Sequence, residues 1–143
     1  MIKFLPLILL FISCSTSSPK QVVDSSFSVI FKSEMGGAEK SSHLLIQNNE
    51  SYIQFIESLK LDESQYANFL KVDFKKKDVL VLYQGQKTSG GYSIDIESVV
   101  NDNSTILVKK KEIQPKAGEI TTTVITSPYC IALIQKRKKL IIE

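Results

Sequence analysis

From Asp78 to the carboxy terminus, apolar and polar residues alternate in one short segment after another, with polar, glycine or proline breaks between them. A period of two sorts side chains onto two faces only when the backbone is extended, so this half of the chain is committed to β-structure. In "DVLVLYQG", Val79, Val81 and Tyr83 fall on one face and Leu80 and Leu82 on the other, as in a central strand covered on both sides. In "YSIDIESVV", Ile94 and Ile96 alternate with Ser93, Asp95 and Glu97, the pattern of a half-buried strand. The spacing predicts strands over 78–84, 91–100, 105–113, 120–126 and 129–135. Polar turns are expected at 101–104 and 115–118, Ser127-Pro128 breaks the last pair, and "KLIIE" supplies a final short strand.

Upstream, "FSVIFK" sets Phe27, Val29 and Phe31 on one face, and "HLLIQ" follows after the loop "SEMGGAEKSS". The two runs read as a long-looped hairpin with Gly36-Gly37 at its tip. The period then changes: Tyr52, Phe55, Ile56 and Leu59 fall at i, i+3, i+4 and i+7, with Asn48 or Asn49 available as a cap. This predicts the one main helix, over about 49–60. A second helical turn is expected around Tyr66, Phe69 and Leu70. The fold class is therefore α+β and mostly β, a single domain of six to seven mainly antiparallel strands with one main helix. About 120 residues suffice for one core. No internal repeat is visible.

Between the first two strands of this half lies "QKTSGGY". A phosphate-gripping glycine loop leads from a strand into a helix, whose free N–H groups and dipole meet the anion. Here the glycines lead into a strand. Gly85, Gly90 and Gly91 therefore read as the close of a hairpin, where positive φ carries no Cβ strain. A functional loop tip made by Lys87, Thr88, Ser89, Gly90, Gly91 and Tyr92 is the alternative.

At the amino terminus, Lys3 precedes an apolar run over 4–12, followed by Ser13-Cys14. Nine helical residues rise only about 14 Å, against the roughly 30 Å of a bilayer core. The run is thus a signal peptide and not a membrane span. It resembles a bacterial lipoprotein signal, with a small residue before the cysteine that is diacylated and becomes the mature amino terminus. Phe11 stands where such signals usually carry leucine. The resemblance implies a signal over 1–13, a lipidated Cys14 with a polar tether over 14–20, and the β-rich domain over 21–143. Ordinary signal-peptidase cleavage near Ser13 or Ser15, giving a soluble secreted protein, is the other reading.

The net charge is +3, and loss of Lys3 with the signal lowers it by one, too weak a balance to argue for nucleic acid. The lysine runs at 75–77 and 109–111 and "KRKK" at 136–139 read as solvated strand ends and edges that discourage edge-to-edge pairing. Contact with anionic lipid near the anchor is the lesser reading. Cys130 lies in the apolar run "YCIALI", where a cysteine behaves as a small buried hydrophobe. A nucleophile needs a base and an orienting group, and the single histidine, His43, is far away in sequence. No cluster of Cys, His and carboxylates has metal-ligand spacing. No catalytic residue, metal or cofactor is expected.

Over about residues 50–136 the chain resembles the carboxy-terminal domain family of the protease complex subunit PrcB. The resemblance rests on "VDFKKKDVLVLYQGQKTSGGYSIDIESV", on Pro115 after the charged strand, and on "TSPYCIALI". Val72, Asp73 and Phe74 before the core strand, Gly85 at its end, the segment Thr88, Gly90, Gly91 and Tyr92, and Thr126, Pro128 and Tyr129 all match the family pattern. Cys130 departs from it, since the family more often carries histidine there; any recognition role of that histidine is absent here. The name-giving member is an accessory lipoprotein of a surface subtilisin-like protease complex. The resemblance thus implies a non-catalytic, exported, lipid-anchored envelope protein that binds a secreted or surface protease.

The implied partner-binding loop is Lys87, Thr88, Ser89, Gly90, Gly91 and Tyr92, with Pro128 and Tyr129 as secondary candidates and the 33–42 loop as a further one. Tyr92 and Tyr129 also read as rings buried beside strands with the hydroxyl at the rim. Two other functions compete: a protease-inhibitor-like module that blocks an active-site cleft with loops, and a general envelope lipoprotein that binds a small ligand or glycan or is merely structural. The absence of tryptophan speaks against glycan stacking.

Overall fold

The computed structural model describes residues 27–66, 69 and 71–143. The expected signal over 1–13, Cys14, the tether and Leu70 lie outside these residues.

Strand β3 (Lys77–Tyr83) organises the molecule. It is antiparallel to β6 (Tyr129–Gln135) on one side and to β2 (Ser42–Ile46) on the other, and β1 (Ser28–Ser33) pairs with β6 to complete a four-stranded sheet in the order β1-β6-β3-β2. A second sheet holds β4 (Ser93–Asp102), β5 (Thr105–Ile113) and β7 (Lys139–Ile142); β4 and β5 are antiparallel, and β5 and β7 are parallel. The protein is mostly β, with seven strands in two mainly antiparallel sheets and two short helices, α1 (Asn49–Ser58) and α2 (Glu63–Tyr66).

The expected alternation in β3 explains the layering. Leu80 and Leu82 face the second sheet and bury against Ile94, Ile96, Val99, Ile106 and Val108. Val79 and Val81 face the other way, against Tyr52 of α1, with Phe55, Ile56 and Leu59 beside them. The helical stripe therefore covers the sheet face that the second sheet leaves open. Asn48 caps α1 by accepting from the Ser51 N–H at 2.9 Å. Burying one apolar side chain such as Val79 contributes about 1.5–3 kcal/mol.

Four expectations are corrected. Strands β1 and β2 form no hairpin; they lie at opposite edges of their sheet, and residues 34–41 cross the ends of β6 and β3 between them. Phe27, Val29 and Phe31 do not share a face. A bulge at Ile30 sets Val29 opposite Ala132 and Phe31 opposite Ile131, so Phe31 turns toward the helix layer while Phe27 and Val29 keep to the inter-sheet side. Strands β3 and β4 form no hairpin either, since the intervening residues carry the chain from one sheet to the other. Finally, 120–126 is not a strand; only Thr126 makes a bridge, to Lys87. The run of Thr, Val and Ile favours extended backbone, but its bonds go to a loop and not to a ladder.

Candidate protein-binding site

Three connections meet at the end of the molecule where β1, β3 and β5 finish and β4 and β6 begin, and their main chains are bonded to one another. The Gln84 N–H donates to the Pro128 carbonyl at 3.0 Å, and Lys87 and Thr126 exchange N–H bonds at 2.8 and 3.0 Å. The Gly90 N–H donates to Thr122 O at 3.0 Å, and the Thr126 hydroxyl donates to Ser89 O at 2.8 Å. Residues 34–41 close the other flank: the Gln86 N–H donates to Glu39 O, the Ser127 N–H to Glu34 O and the Gly37 N–H to Ser127 O, each at 2.9 Å.

Such close main-chain contact explains the glycines. Gly85 has φ +85°, and a Cβ there would stand 2.8 Å from the Ser41 backbone nitrogen. Gly91 has φ +84°, with the Pro115 ring 3.0 Å from its Cβ position. Gly90 is not at positive φ; it is buried, and a Cβ would strike the Thr122 hydroxyl. The glycines thus let one loop pack on another while β3 hands the chain over to β4.

The candidate residues separate by exposure. Thr88 and Gly91 are exposed, and Lys87, Ser89 and Tyr92 are half-buried, with the Lys87 ammonium 5.5 Å from the centre of the Tyr92 ring. Such a cation–π contact is worth about 0.5–1 kcal/mol at an exposed site. Pro128 and Tyr129 are buried. Tyr129 packs among Phe31 and Tyr83, with ring centres 5.9 and 6.2 Å away. Burial raises its hydroxyl pKa, and Tyr83 adds to the rise. These two residues build the floor of the site and offer no surface to a partner.

The sequence reading missed the apolar side chains at this end. Met35, Ile113, Val124 and Ile125 are 49, 41, 41 and 62% exposed, and Ile120 is 99% exposed. The signal was present in "EITTTVITSP", in which large apolar residues occur on both faces of an extended segment without a matching partner strand. Isolated exposed apolar residues are ordinary, but several on adjoining segments mark a contact surface. Beside them the Lys32 ammonium donates to Asp95 at 2.7 Å, joining the two sheets. A cleft of about 240 Å³ between β1 and β4 includes this pair.

No nucleophile–base pair arises here. His43, Leu82 and Cys130 lie in one row across β2, β3 and β6. Strands about 4.8 Å apart put His43 and Cys130 about 10 Å apart with Leu82 between them. The thiol is fully buried, and burial pushes its pKa up to about 12, with Asp95 adding to the rise and Lys32 opposing it. Among the described residues no three His, Cys, Asp or Glu side chains group as metal ligands, and no helix is long and apolar enough to cross a membrane.

Residues 79–135 match the family model described as PrcB C-terminal. Over these residues the chain is similar to that family. It begins within β3 and ends with β6, so it holds the sheet-to-sheet crossover, β4, β5 and the apolar segment at 120–125. The helix layer, β1, β2 and β7 lie outside it, as do Val72, Asp73 and Phe74. Cys130 faces the core between the two sheets. No curated protein and no solved structure matches the chain.

Proposed function

We propose that this protein is a non-catalytic, lipid-anchored envelope subunit that binds a secreted or surface subtilisin-like protease through the loop end of its β-fold. The observation that carries the reading is the PrcB C-terminal family match over 79–135, which points to association with a protease complex. The exposed apolar residues beside Lys87 and Thr88 supply contact chemistry for a protein partner. Anchoring rests on Cys14 and the apolar run before it.

Affinity capture from cell envelopes, with mass spectrometry of the bound proteins, tests the reading. A subtilisin-like protease is expected to co-purify, and Ile125→Glu is expected to weaken its capture. The purified protein is expected to leave the protease activity unchanged or higher. Loss of activity on its addition means inhibition instead, and capture of no protease overturns the proposal.

A further inference from the structure

Two basic runs that lie 60 residues apart in sequence meet at the end opposite the loops. Strand register sets Lys77 opposite Gln135, so Lys75 and Lys76 enter β3 where Lys136 and Arg137 leave β6. The Lys136 N–H donates to Lys76 O at 2.9 Å, and its ammonium donates to Phe74 O at 3.0 Å. An open cavity of about 490 Å³ is lined by Lys75, Lys76, Lys77, Gln135, Lys136 and Arg137, and a second, of about 480 Å³, continues past Arg137 to Lys138. The side chains at 75–77 and 138–139 are exposed. Two carboxylates lie among them and leave an excess of positive charge: Asp78 is buried and pairs with Lys136 at 3.5 Å, and Asp73 accepts from the Lys75 N–H within its own turn. The chain as a whole carries only +3, so the charge is concentrated at one pole.

That pole is also where the chain enters the domain. Ser28 opposes Leu133 while Ser33 opposes Tyr129, so Phe27 sits at the basic end and the loops at the other. Residues 14–26 span at most about 45 Å when fully extended, which keeps this pole near whatever holds Cys14.

We propose that the basic pole formed by 75–77 and 136–139 seats the domain on an anionic phospholipid surface. The choice of lipid over another polyanion rests on the lipoprotein reading of Cys14. Each lysine near an anionic leaflet adds to the attraction, and the attraction is screened by salt. With the anchor, this contact turns the loop end away from the bilayer.

The test uses the chain from residue 14 with Cys14→Ser, which carries no lipid, and sediments it with vesicles. Binding to phosphatidylglycerol mixed with phosphatidylcholine is expected, with loss in high salt and none on phosphatidylcholine alone. Lys76→Gln with Lys138→Gln should lower the partition about 30-fold, whereas Lys111→Gln with Lys116→Gln, which removes equal charge at the other end, should leave it unchanged. Equal loss in both double variants overturns the proposal. So does displacement by inorganic phosphate beyond that by sodium chloride of equal ionic strength, or tighter binding to a DNA duplex than to the vesicles. Absence of vesicle binding, with cellular retention still dependent on Cys14, overturns the seating alone and leaves the anchor standing.

Discussion

Cys130 and Asp95 lie within electrostatic reach of each other and behave oppositely because one is buried without polar compensation and the other is compensated. The Cys130 thiol has no exposed surface and a pKa pushed up to about 12 by burial, so a bulky maleimide is expected not to label the native protein. Cys130→Ala removes a packed sulfur and should cost about 1–2 kcal/mol in chemical denaturation. For Asp95, partial burial alone would raise the pKa, but hydrogen bonds from Lys32 and the Ile96 N–H outweigh it and hold the carboxyl below its usual value. The bond to Asp95 raises the pKa of Lys32. A lowered carboxyl contributes stability above its unfolded pKa of about 3.9 and loses it as pH falls through the folded value. A raised lysine contributes below about 10.4 and loses the contribution as pH rises through its folded value. The pair is therefore expected to stabilise between about pH 5 and 9. The Lys32 side chain is 52% exposed, which screens the coupling to about 0.5 kcal/mol. A double-mutant cycle with Lys32→Met and Asp95→Asn should show that coupling at neutral pH and none near pH 2.

At the scale of elements, strand and helix identities were legible because each depends on local periodicity, whereas the partners of the strands were not. The alternation of Val79 to Leu82 and the stripe of Tyr52, Phe55, Ile56 and Leu59 both appear as read. The two expected hairpins fail because nothing local distinguishes a strand that turns back from one that crosses to another sheet; that choice is made by Ser127 and Pro128 bonding to residues 34 to 37 and to Gln84. Residues 120–126 were misread because propensity measures fitness for a sheet, and the sheet is absent where Thr122 and Thr126 bond to 87–90. The same bonds separate two classes of substitution in the candidate site. Gly91→Val should cost about 1–3 kcal/mol, since φ +84° is disfavoured for a β-branched residue. Lys87→Glu with Thr88→Ala touches exposed and half-buried side chains and should change stability by less than about 1 kcal/mol. The second variant is the informative one: capture of the protease should fall while the thermal midpoint holds. Unchanged capture would move the interface to Met35 and the 33–42 loop.

At the scale of the whole molecule, the fold has two ends of different chemistry. The sequence contains all the lysines and all the exposed apolar residues, but only strand register decides that 75–77 and 136–139 gather at the end where the chain enters, and that Met35, Val124 and Ile125 gather at the other. An anchored adaptor needs this division, because the surface that meets a soluble partner has to point away from the bilayer. The basic pole can orient the domain, but it cannot by itself hold it, since contacts to lipid head groups weaken with salt. In the lipoprotein reading, retention against a salt wash comes from acyl chains on Cys14, each buried CH₂ of which contributes about 0.8 kcal/mol. The described residues offer no apolar helix long enough to replace them. Cys14→Ser is therefore expected to move the protein from the membrane fraction to the salt-soluble fraction without altering its thermal midpoint. Fractionation with a high-salt wash checks this, and a mutant that still pellets with membranes after the wash sinks the lipoprotein reading.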